Sequence, residues 1–225
     1  MAKQLDLEEQ EQLAEIKHFW SKYGNLITWV LIAVFGSVAA YNGWNWWQRN
    51  QAAQASALYD EVERATQSRD VARVQRAFAD VRDKYGRTTY AQQGGLLAAR
   101  AFHDAGKTDE AKAALGWVAD KASDEGYQAI ARLRLAALLA DSQAYDEALA
   151  QLRGRFPDSF AALVADRRGD VLNLQGKKAE AKAEYQKALA AMDAGSDYRR
   201  LVEVKLAALG GQPPEAPAAG GAGRS

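Results

Sequence analysis

The chain has 225 residues, and its 29 Lys+Arg are balanced by 29 Asp+Glu to give no net charge. That balance argues against a nucleic-acid binder, which needs clustered basic charge to meet phosphates. Cysteine is absent, which excludes a disulfide framework, a thiolate nucleophile and a Cys-ligated zinc site.

Residues 1–22 form an acidic leader with three basic and five acidic residues. Within it Leu13, Ile16, Trp20 and Tyr23 fall on one helical stripe. Residues 23–48 then hold 26 positions without a charge, almost continuously apolar from Leu26 to Tyr41 and flanked by Trp20, Tyr23, Trp44, Trp46 and Trp47. As a helix this stretch reaches roughly 39 Å, against about 30 Å for a hydrocarbon core. Trp and Tyr favour the headgroup boundary, so the pattern predicts a transmembrane anchor. A cleaved signal peptide opens on a short basic region, and this long acidic leader is unlike one. Lys3, Lys17 and Lys22 before the span, against Arg49 and Arg64 after it, predict a cytoplasmic N-terminus and a C-terminal part outside the cytoplasm.

Beyond the anchor the composition predicts helix alone. There are 47 alanines, and Pro157 is the one proline before Leu209. Residues 49–209 read as short amphipathic helices that repeat. Ala111, Ala148 and Ala181 are spaced 37 and 33 residues apart. Twelve positions before each stands a small residue (Ala99, Ala136, Gly169), and nine before stands a bulky one (Phe102, Leu139, Leu172). Four positions after come Leu115, Leu152 and Tyr185. This is the pattern of a tetratricopeptide repeat, a helical hairpin whose small residues let its two helices touch. A degenerate unit is expected over 51–85, packing through Tyr59, Phe78 and Val81, and a covering helix over 198–206. Residues 210–225 are expected to be a disordered Pro/Gly/Ala tail. The fold class is therefore all-α: a single N-terminal transmembrane helix followed by a tetratricopeptide-like helical-hairpin solenoid of about four hairpins.

Catalytic constellations are missing. His18 and His103 are the two histidines, and no phosphate-cradling loop or nucleophile elbow occurs. Asp166 and Asp170 lie at i, i+4, which reads as a solvated helix face. No enzyme activity, metal, cofactor or small-molecule substrate is expected. Two features point to recognition. In the anchor, Ala33, Gly36, Ser37, Ala40 and Gly43 line one face, where small residues permit close helix docking. In the repeats, the first helix of each hairpin is expected to line a groove. The register assigns it Gln93, Leu96, Arg100 and His103, then Ile130, Leu133, Ala137 and Ala140, then Leu163, Asp166, Asp170 and Asn173. This groove reads as apolar in the middle and polar at both ends, suited to loosely specific contact with extended chains.

The order of these features resembles a known family: the bacterial inner-membrane tetratricopeptide proteins that are ancillary subunits of the SecYEG translocon, the YfgM type. The resemblance rests on Ile16-Lys17-His18-Phe19-Trp20 and Tyr23-Gly24-Asn25 before the span, and Gly43-Trp44-Asn45-Trp46-Trp47 after it. It also rests on the stretch from Ala161 to Asp170 and on Leu174-Gln175-Gly176-Lys177-Lys178. It implies a periplasmic repeat domain tethered beside the channel, with periplasmic chaperones and newly exported polypeptides as partners. The alternative is a static scaffold for envelope or cell-division complexes.

Overall fold

The computed structural model describes residues 7–193 and 195–212; the expected tail from residue 213 onward lies outside them. Among the described residues there are nine α-helices, one 3-10 turn and no strand. The chain divides into two compact units, up to Gln51 and from Ala52 onward.

Helix α1 (Leu7–Gln67) runs for 61 residues and spans that boundary. No proline interrupts it, and its charge-free stretch is long and apolar enough to cross a membrane. The large side chains of that stretch, from Leu26 through Trp29 and Phe35 to Tyr41, are exposed. An apolar helix of this length without a protein cover suits a hydrocarbon surround, where its backbone groups are already satisfied internally.

The second unit is a row of hairpins. The end of α1 pairs with α2 (Val71–Tyr85), α3 (Thr89–Asp104) with α4 (Thr108–Lys121), and α5 (Glu125–Asp141) with α6 (Tyr145–Leu152). After Pro157 and a 3-10 turn (Asp158–Phe160), α7 (Ala161–Leu174) pairs with α8 (Lys178–Ala190), and α9 (Asp197–Ala208) closes the row. Asp70, Thr88 and Asp124 cap α2, α3 and α5 by accepting bonds from the first-turn amides.

The turn that ends each first helix repeats to the atom. Arg69, Gly106, Gln143, Gly176 and Gly210 all have positive φ, at spacings of 37, 37, 33 and 34 residues. In every case the next amide donates to the carbonyl four residues before the left-handed position: Asp70 to Ala65, Lys107 to Phe102, Ala144 to Leu139, Lys177 to Leu172 and Gly211 to Leu206. Two consequences follow. The end of α1 and α2 form a true first repeat, with Val62, Phe78 and Val81 buried. Helix α9 carries the register of a first helix, with Gly210 at its left-handed turn.

All twelve repeat-pattern residues from Ala99 to Tyr185 are buried. Gly169 lies against the Tyr185 ring so closely that a Cβ there would come within 2.5 Å of it. Seven residues before its left-handed turn each first helix holds Val62, Ala99, Ala136 or Gly169, and α9 holds Glu203 instead. Glu203 pairs with Arg199 at 3.0 Å. At this register position α9 is therefore charged where the other four first helices are apolar or small.

Candidate binding surface and its terminal joint

The first helices α1, α3, α5, α7 and α9 form one layer, the layer that lines the concave surface in such arrays. Side chains link neighbours within it. The Tyr59 and Tyr90 rings lie 6.0 Å apart between α1 and α3, and Gln93 Nε2 donates to Tyr127 Oη at 2.7 Å between α3 and α5. Tyr90, Tyr127 and Phe160 repeat at the starts of α3, α5 and α7, half-buried, and the sequence reading passed over them. Their spacing of 37 and 33 residues was the available signal.

The expected groove residues divide by burial. Leu96 and Ala140 are buried, and Gln93, Ile130, Leu133 and Ala137 are partly so. Arg100 and His103 are exposed, with Arg100 paired to Asp104 on its own helix at 3.7 Å. Leu163 and Asn173 are exposed. Asp166 is 1% exposed and Asp170 partly buried, which overturns the reading of that pair as a solvated face.

What holds the two carboxylates is helix α9. Lys205 Nζ lies 2.9 and 3.0 Å from the Asp166 oxygens and 2.7 and 3.0 Å from those of Asp170. Tyr198 Oη donates to Asp166 at 2.6 Å, Tyr185 Oη donates to Asp170 at 2.9 Å, and Arg167 stands 3.5 Å from Asp170. Burial raises both phenol pKa values well above the ordinary tyrosine range, with the neighbouring carboxylates adding to it. By register Lys205 stands where Ala101, Leu138 and Val171 stand in α3, α5 and α7, five residues before the left-handed turn. At this register position the last joint thus carries a charge where its three counterparts carry an apolar side chain. No separation in sequence marked Lys205, Tyr198 and Tyr185 as partners of the aspartates; the docking of α9 brings the first two there and the α7–α8 hairpin brings Tyr185.

In the anchor, Ala33, Gly36, Ser37, Ala40 and Gly43 are all exposed, and a Cβ at Gly36 or Gly43 would meet nothing within 4 Å. Ser37 Oγ donates to the Ala33 carbonyl at 2.7 Å, so its proton is used within the helix. Among the described residues no group of three or more His, Asp or Glu is placed to hold a metal ion.

A family model described as a tetratricopeptide repeat-like domain matches residues 17–211. The chain is 32% identical to the ancillary SecYEG translocon subunit of Neisseria gonorrhoeae, covering 90% of this chain and 98% of that one. Relatives with the same name in Haemophilus influenzae and Escherichia coli are 29% and 28% identical, covering 89% and 79% of this chain and 97% and 85% of theirs. The chain belongs to the ancillary SecYEG translocon subunit family. In this family member the match runs across both units, taking in the apolar part of α1 as well as every hairpin and α9.

Proposed function

We propose that the protein is a single-pass inner-membrane subunit that docks beside SecYEG and receives newly exported chains on its periplasmic repeat domain. The observation that carries this reading is near full-length similarity to ancillary translocon subunits, joined in one chain to an unshielded apolar helix and a helical-hairpin array. Residues 1–22 are read as a cytoplasmic leader, 23–48 as the anchor and 49–209 as the periplasmic domain, oriented by the positive charges before the span. The proposed role is chaperone-like, supported by the contact surface of the first-helix layer, and the family resemblance adds periplasmic chaperones as further partners.

The test uses the full chain extracted from membranes in mild detergent. SecYEG is expected to co-purify, and photocrosslinking from the first-helix layer during export is expected to trap many different unfolded chains. Recovery of one or two folded proteins and no channel would replace this reading with that of a scaffold. Single cysteines at Gln4 and Ala191 check the orientation on spheroplasts: an impermeant thiol reagent is expected to label Ala191→Cys and spare Gln4→Cys.

A further inference from the structure

The large apolar side chains left exposed in the second unit, among the described residues, are Leu163 (38%), Leu174 (54%), Tyr198 (36%), Leu201 (47%) and Val204 (66%). All five lie on α7 or α9. The middle of the layer, where the sequence placed the apolar contact, has its leucines partly or fully buried. The apolar surface of this layer is therefore at its α7–α9 end.

Helical spacing puts the five around one joint. On α7, residues 163, 166, 170 and 174 share a face, and on α9 residues 198, 201 and 205 share another with Val204 beside it. Tyr198 and Lys205 reach Asp166 and Asp170 directly. Leu163 and Leu174 therefore flank the α7 side of that contact, and Leu201 and Val204 flank the α9 side.

We infer that this rim seats short apolar segments of unfolded polypeptide, an inference that rests on the function proposed above and names the part of the layer that performs it. Three observations select that occupant. The sequence from Gly210 to Ser225 contains no apolar side chain larger than proline, so it offers none of the bulk that would fill such a rim. The five side chains expose on the order of 400 Å², about half of the ~800 Å² that each partner of a stable folded interface covers. That area suits a few residues of extended chain better than a folded partner or a second copy. The joint between the rims is electrically closed, because the two carboxylates already hold an ammonium, two phenols and a guanidinium. An uncharged segment is thus accepted without stripping a buried charge, and a cationic one finds no vacant carboxylate.

The experiment places a photoreactive benzoylphenylalanine singly at Leu174, Leu201, Arg100 or His103 of the full chain in lipid nanodiscs. The probe is reduced, carboxymethylated lactalbumin, which stays unfolded. At least fivefold more adduct is expected from positions 174 and 201 than from 100 and 103. The double variant Leu201→Ser, Val204→Ser is expected to lower probe binding at least fivefold with an unchanged melting midpoint, since neither side chain belongs to the core. Equal adducts at all four positions would overturn the inference and leave the proposed function standing. Adducts between two copies of the chain, formed without probe, would assign the rim to self-association and overturn it as well. No adduct from any position would remove the inference and the chaperone-like reading together.

Discussion

Gly169 and Gly116 show how much a single missing methyl group decides. A Cβ at residue 169 would sit 2.5 Å from Cε1 of Tyr185, a ring 2% exposed and tethered through its hydroxyl to Asp170. The ring has no room to yield, so Gly169→Ala is expected to cost about 2 kcal/mol, within the usual range for overpacking. At Gly116 in α4 a Cβ would meet nothing within 4 Å. Gly116→Ala is therefore expected to gain about 1 kcal/mol by removing backbone freedom from the unfolded chain. Urea denaturation of the two variants checks both signs; a neutral Gly169→Ala would mean that the α7–α8 contact is looser than its geometry shows.

At the scale of the element, α9 differs from α3, α5 and α7 by having a charge where it meets the preceding first helix. Removing Lys205 leaves two carboxylates, one of them 1% exposed, with their main cation gone. Lys205→Ala is expected to destabilise by about 3 kcal/mol, the typical cost of breaking a buried pair from one side. Hydrogen exchange is expected to show α9 opening ahead of α3 to α6. A uniform loss of protection across all hairpins would contradict a local latch. The same joint sets an alkaline limit. Both phenols have raised pKa values, so their contribution is complete below the unfolded tyrosine value of about 10 and is lost as pH rises beyond it. The stability of the wild type is expected to fall more steeply above pH ~10 than that of Tyr185→Phe, Tyr198→Phe. Parallel pH profiles would show that these tyrosines ionise freely in the fold.

For the whole molecule, the proposed docking beside SecYEG poses the question of which unit would carry it. A surface that accepts apolar segments generally discriminates weakly, since one methylene is worth only about 1–3 kcal/mol. The anchor confines the protein to the membrane and presents a face on which Gly36 and Gly43 have open space beside them. Gly36→Leu with Ala40→Leu adds bulk there without lowering hydrophobicity, so insertion is retained while close helix approach is lost. Co-purification with SecYEG is expected to fall, with the circular dichroism of the repeat domain unchanged. Undiminished recovery of the channel would assign docking to the leader or the repeats.

Periodicity was enough to determine the helical class and the hairpin register, and the uncharged apolar stretch marked a helix long enough to cross a membrane. The small residues at 99, 136 and 169, the alanines at 111, 148 and 181, and the uncharged stretch 23–48 each act through neighbours a few residues away, and such spacing is written in the sequence. The left-handed turns at Arg69 and Gln143 were less legible, because neither residue is the glycine that such a turn favours. The use of the first-helix layer was decided only by tertiary structure. Asp166 and Asp170 look like an ordinary solvated pair until Lys205, 39 and 35 residues away, closes on them. The apolar groove residues look available until the packing of successive hairpins buries or half-buries those in the middle and leaves Leu163 outside, beside Leu174, Leu201 and Val204, which the groove register had not included. Burial depends on what covers a residue, and here the cover comes from another repeat.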